Sequence, residues 1–129
     1  AAAGYSQVNT LGLVACQAAY TYGEDWLQQV KTYIEDNIEF VDAYLKQNLP
    51  QIKLLHPEGT YLVWLDCSAL DLTSAEREQW LWHQAHLWLD GGGIFGKEGE
   101  AFERINVACP RALLLKGLEQ LKQAVLELN

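Results

Sequence analysis

Arg104 and Asn106 stand two residues apart in AFERINVACPR, residues 101–111. The run reads as a β-strand, and side chains alternate across a strand. One face of residues 102–109 then carries Phe102, Arg104, Asn106 and Ala108. The other carries Glu103, Ile105, Val107 and Cys109. This second set makes the apolar core face, with Glu103 the exception at the strand start. The first set presents a guanidinium beside an amide, flanked by a phenyl ring. A planar fork of N–H donors matches a carboxylate in a bidentate pair. Held on a strand it has less freedom than on a loop, so it can orient a ligand. The same arginine could instead close a structural salt bridge with Asp66 or Glu58, and spacing alone favours the bridge over the ligand role.

Other chemistry is thinly represented, and no residue reads as catalytic. There is no nucleophile with an evident base and no Gly-x-Ser-x-Gly. His83 and His86 lie a helical turn apart, with Asp90 one turn further on. They match no zinc spacing, so no metal site is expected. Cys16, Cys67 and Cys109 are far apart among apolar residues, without a Cys-x-x-Cys, and read as three buried thiols kept reduced. The glycines of DGGGIFGKEGE allow close backbone approach, but the spacing is not that of a phosphate loop.

These side chains must be held by a mixture of helices and strands. VNTLGLVACQAAYTYG reads as a short helix, capped by Asn9 or Thr10 and ended at Gly23. It is apolar on most sides and needs cover on all of them, more than a small chain readily supplies. A long amphipathic helix follows, from Glu24 and Asp25 to just before Pro50. IKLLHPEGTYLVWLDC reads as a β-hairpin with Pro57-Glu58-Gly59 in a tight turn, Gly59 tolerating positive φ. Both faces of its second strand are largely apolar, which predicts cover on both. TSAEREQWLWHQAHLWL predicts a helix, opened by a Thr73–Glu76 capping box, with Trp80, Leu81, Gln84, Ala85 and Trp88 on one core stripe. The strand carrying Arg104 comes next, and then a last helix that Pro110 or Arg111 begins, with Leu114, Leu118, Leu121, Val125 and Leu128 inward. The order implies an α+β unit with a small, mostly antiparallel sheet.

The chain has 129 residues, enough for one domain with a real core. Half of them are apolar and the formal net charge is −8. Nucleic acid and anionic membrane surfaces are therefore poor partners. No apolar run approaches the roughly 18 to 20 residues of a membrane span. AAAGYSQVN has neither the basic region nor the apolar core of a signal peptide. There is no methionine, so Ala1 is not a translation start as written, and the expectation is a piece of a longer protein.

NTLGLVACQAAYTYGEDWL, YIEDNIEFVDAYLKQNLPQIK, HPEGTYLVWLDCSAL, IFGKEGEAFERINVACPR and LEQLKQAV resemble, in order and over almost the whole chain, the C-terminal part of a pyridoxal-phosphate enzyme of the cystathionine β-lyase and aminotransferase family. PEGTYLVWLD and FERINVACPR are the most specific pieces. The resemblance implies the aspartate-aminotransferase fold, called fold type I. Residues 1–22 would be the tail of the large cofactor-binding domain, 23–49 a linking helix and 50–129 the small C-terminal α+β domain.

It also implies that Arg104 binds the α-carboxylate of a small amino-acid substrate, with Asn106 as a weaker neighbour. Arg111 does not match that role and starts the last helix. The family's Schiff-base lysine and other cofactor ligands belong upstream of Ala1. Lys31, Lys46, Lys53, Lys97, Lys116 and Lys122 are in the wrong segments to replace that lysine, so this chain alone should be inactive. The cofactor is an electron sink that stabilises a carbanion at the substrate's α-carbon. Arg104 would serve a C–S β-lyase and an aminotransferase alike, by orienting the substrate. A cytoplasmic homodimer is the implied setting. The alternative is a stand-alone, non-enzymatic domain that binds a carboxylate ligand or a protein partner.

Overall fold

Asn9 accepts a hydrogen bond on its side-chain oxygen from the Gly12 N–H at 2.7 Å and so starts α1, Thr10–Tyr22. The structure is a computed structural model and describes residues 8–128. None of the residues of α1 is buried, as expected of an all-round apolar helix without cover. Gly23 ends it with an N–H bond to the Ala19 carbonyl at 2.8 Å. A Cβ at Gly23 would lie 2.4 Å from that oxygen, so a side chain is excluded there.

The second helix, α2, spans Glu24–Asn48 with both acids in its first turn and stops just short of Pro50. The chain divides into two compact units, one running up to Tyr33 and the other starting at Ile34. The buried residues of α2, Asn37, Ile38, Val41, Asp42 and Leu45, all lie in the second unit.

That unit is built on a four-stranded antiparallel sheet. Its strands are β1 (Lys53–Leu55), β2 (Leu62–Asp66), β3 (Asp90–Gly91) and β4 (Phe102–Asn106), in the order β1-β2-β4-β3. Helices α3 (Ser74–Trp80) and α4 (Arg111–Glu127) complete an α+β fold. Val41 and Leu45 of α2, Val63 and Leu65 of β2, and Leu118 and Leu121 of α4 meet in one core. Leu114 and Val125 are buried with them, while Leu128 at the end of α4 is exposed.

Besides the exposed Leu128 and the unforeseen strand β3, four expectations need correction. The hairpin turn is six residues long, and positive φ falls on Thr60 (67°) rather than Gly59. The Thr60 hydroxyl accepts from the Leu62 N–H at 3.2 Å and steadies the turn locally. Strand β2 is fully covered on one face only: Val63 and Leu65 are buried, whereas Leu62, Trp64 and Asp66 are half-buried.

The helix from Thr73 keeps its capping box but ends early. After Trp80 it widens into one π-turn, Leu81–Ala85, and His86 turns left-handed (φ 53°). The Leu87 N–H closes back on the Leu81 carbonyl at 2.9 Å. Trp80, Leu81 and Ala85 are buried, but Gln84 is exposed and Trp88 swings outward to lean on Trp82, ring centroids 5.1 Å apart. Leu87 and Leu89 take the core side instead.

The thiols also differ from expectation, because Cys16 is exposed. Cys67 is buried, and desolvation pushes its pKa up to about 12; the half-buried Cys109 is raised for the same reason. Only a thiolate attacks a disulfide reagent. At about pH 8, Cys16 should therefore react with an aromatic disulfide at once and Cys67 only after denaturant is added. Counting released thiolate under both conditions, with Cys16→Ser as control, checks this. Native-state labelling of Cys67 at the Cys16 rate would contradict the burial.

Candidate carboxylate-binding site

Strand pairing sets Arg104 opposite Trp64 on one side and opposite Asp90 on the other. The guanidinium is held along one edge: its Nη2 lies 2.6 Å and its Nε 3.2 Å from Asp90 Oδ2. One flat face is covered by the Phe95 ring, whose centroid is 4.4 Å from the guanidinium carbon. Trp64 meets Phe95 edge-on at 5.3 Å and Phe102 edge-on at 6.4 Å, so the stacked ring is itself supported. Among the described residues, Nη1 has no hydrogen-bond partner, and 23% of the Arg104 side chain is open to solvent. The result is a part-buried cation with one edge and one face fixed and its far end accessible.

Asp90 therefore replaces Asp66 and Glu58 as the protein partner. Asp66 shares the Arg104 face but stands one diagonal step away, since it pairs with Phe102. Its Oδ1 instead accepts from the Ser68 N–H at 3.0 Å, and Ser68 holds that carboxyl below the usual range. Glu58 sits exposed in the hairpin turn.

Asp90 is brought into place by glycines. A Cβ on Gly92 would meet the Gly99 carbonyl oxygen at 2.1 Å, and one on Gly99 would meet the Gly92 carbonyl oxygen at 2.3 Å. The loop crosses itself where only glycine fits, which lays Asp90–Gly91 along β4.

Asn106 ends β4 on the Arg104 face, exposed, and its Oδ1 accepts from the Ala108 N–H at 2.9 Å. Arg111 begins α4 as expected. It also donates from Nε to Asn37 Oδ1 at 2.6 Å and lies over the Phe40 ring. Asn37 in turn donates to the Val107 and Cys109 carbonyls at 2.7 and 3.0 Å, so this arginine ties α4 and the end of β4 to α2. His83 and His86 are parted from Asp90 by the end of the helix. Among the described residues no three His, Cys, Asp or Glu side chains could hold a metal ion.

Glu103 is not a surface exception. It is 2% exposed and lies 2.7 Å from Arg77 Nε, and Arg77 is 1% exposed. Arg77 Nη2 also donates to the Glu100 and Phe102 carbonyls at 2.6 and 3.3 Å. The signal is present in the sequence: one acid on the core face of the strand, and one arginine a turn before Trp80 on the core stripe of the helix.

No family model matches the chain. It is 38% identical over 122 residues to cystathionine β-lyase PatB of Bacillus subtilis, covering 95% of this chain and 32% of that one. Its fold superposes on pyridoxal-phosphate-containing cystalysin from Treponema denticola with TM-score 0.92 and 36% identity, over 95% of this chain and 31% of that one. These relatives are cystathionine β-lyases and pyridoxal-phosphate-containing enzymes, and the chain is similar to a part of them. A pyridoxal-phosphate-bound C–S lyase from Staphylococcus hominis agrees, with TM-score 0.85 and 34% identity over 96% of this chain and 33% of that one. The chain spans about a third of the length of these relatives. Its α+β fold matches the corresponding part of these aspartate-aminotransferase-like enzymes.

Proposed function

We propose that the chain is the C-terminal part of a pyridoxal-phosphate-dependent C–S β-lyase or aminotransferase, in which Arg104 binds the substrate's α-carboxylate. The observation that carries this is the state of the guanidinium: fixed along its Nε–Nη2 edge by Asp90, covered by Phe95, and open at Nη1. A carboxylate arriving there finds a pre-oriented donor set, so little rotamer freedom remains to be lost on binding. Binding by two parallel bonds fixes the direction of the Cα bonds as well as the position of the carboxylate, which is what stereospecific chemistry at that carbon requires.

Residues 1–22 are assigned to the tail of a large domain, 23–49 to the linking helix and 50–129 to the small domain, in a cytoplasmic homodimer. The family's cofactor is assigned to the large domain, because this chain's lysines do not make a cradle for it. Lys46 is paired with Asp42 and Lys122 with Asn48, while Lys31, Lys53, Lys97 and Lys116 are spread over other segments. The contribution argued for this chain is substrate orientation.

A crystal of the full-length holoenzyme soaked with an unreactive α-amino acid analogue tests the assignment. Its carboxylate is expected within about 3 Å of two guanidinium nitrogens of Arg104, the separation of charge-assisted hydrogen bonds. A carboxylate bound elsewhere would reject it.

A further inference from the structure

We propose that Asp90 is a positioning residue for this carboxylate site, setting the direction in which Arg104 offers its free donors; the proposal rests on the reading of Arg104 just given. Strand β3 is two residues long and adds little to the sheet by itself. What it does is set Asp90 directly across from Arg104, and the Gly92–Gly99 crossing next to it locks that placement.

Both bonds from the guanidinium run to the same oxygen, Oδ2, and both leave from the Nε–Nη2 edge. An arginine side chain can rotate its terminal plane about several bonds. A pair of bonds along one edge stops that rotation, and the Phe95 ring 4.4 Å away fixes the tilt. Together they leave Nη1 and the outward N–H of Nη2 for an incoming carboxylate. Had Asp90 taken the Nη1–Nη2 edge, the site would be blocked.

The ion pair is half open to solvent on the Asp90 side, at 47% exposure, and pairs of that kind contribute little to folding. Its value is in orientation. Glycine-rich loops can also carry an acid away from a strand, so the register opposite Arg104 is a specific feature of this one.

The test uses the full-length holoenzyme with L-cystathionine, or with L-aspartate and 2-oxoglutarate for transamination. Asp90→Ala should raise KM for the amino acid about 10-fold or more while kcat stays within about 3-fold, the pattern of lost uniform binding. Asp90→Asn keeps an oxygen acceptor in place and should bring KM back to within about 3-fold of the parent. Tm should be nearly the same in all three proteins. The proposal is overturned if Asp90→Ala leaves KM unchanged, if KM falls because Asp90 merely competed for the guanidinium, or if Asn fails to rescue. Arg104→Lys in the same assay separates the two levels. If it too leaves the kinetics unchanged, or if the holoenzyme turns over neither substrate, the underlying function reading has failed and Asp90 falls with it. If Arg104→Lys is impaired and Asp90→Ala is not, only the positioning role is wrong.

Discussion

Replacing Arg104 by lysine in the full-length holoenzyme should lower kcat/KM for the amino-acid substrate at least about 100-fold, about 2.7 kcal/mol of transition-state stabilisation. Lysine keeps the charge but not the planar fork, so it can meet a carboxylate at one point only. It also loses the Nε–Nη2 edge that Asp90 grips and the flat face that stacks on Phe95. Alanine should be at least as damaging. Stability should change little in either variant, because the Arg104–Asp90 pair is partly solvated and such pairs contribute about 0–1 kcal/mol. A purely structural arginine would behave in the opposite way, with a lowered Tm and near-normal kinetics per folded molecule. Measuring Tm and kcat/KM on the same preparations therefore decides between the two roles. A badly destabilised but kinetically normal Arg104→Ala protein would end the carboxylate assignment.

The largest effect on stability is expected at Arg77. Arg77→Met removes the partner of a carboxylate that is 2% exposed and leaves the Glu100 and Phe102 carbonyls without that donor. Breaking a buried pair from one side costs about 3–5 kcal/mol. The loss should depend on pH, with a definite sign. Burial already pushes the Glu103 pKa up, and Arg77 holds it down in part. Without Arg77 it rises further, so the folded variant keeps its proton more tightly than the unfolded chain does. The stability that this acid contributes is then present below its unfolded pKa and is lost as pH climbs through the folded value. Urea unfolding should find Arg77→Met closest to the parent near pH 4 and furthest from it near pH 7, where about 3–5 kcal/mol is missing. Adding Glu103→Leu should restore most of the loss, since an apolar pair of similar volume is often as stable as a buried ion pair. A deficit that is the same at both pH values would mean that the Glu103 charge is not involved.

Much of the fold is legible along the chain, wherever the determining physics is local. Asn9 and Thr73 are caps because their side chains accept from backbone N–H groups three residues on, and Glu76 reaches back to the Thr73 N–H in return. Pro50 closes α2, and Leu114, Leu118, Leu121 and Val125 recur at helical spacing, so α4 and its buried face follow from period alone. Alternation along residues 102–106 puts Arg104 and Asn106 on one face and Ile105 on the other, and needs no tertiary contact to do so.

Contacts between segments distant in sequence are not legible in this way. Periodicity carries the helix from Thr73 on to Leu89. It stops at Ala85 because Leu87 and Leu89 pack on the core while Trp88 turns out to Trp82, a choice that period cannot express. In the sequence Glu103 is an acid at a strand end; in the fold Arg77, 26 residues earlier, lies against it. Composition and spacing determined the α+β class, the order of the elements apart from β3, the two faces of β4 and the arginine on the open one. Only the tertiary structure decided what touches that arginine. Asp90 follows two histidines and Phe95 lies in a glycine loop, and neither neighbourhood points to Arg104. A crossing of two glycine backbones brings both of them to it. Local propensity acts over a few residues, whereas the partners of a side chain are chosen by how the whole sheet and loop close.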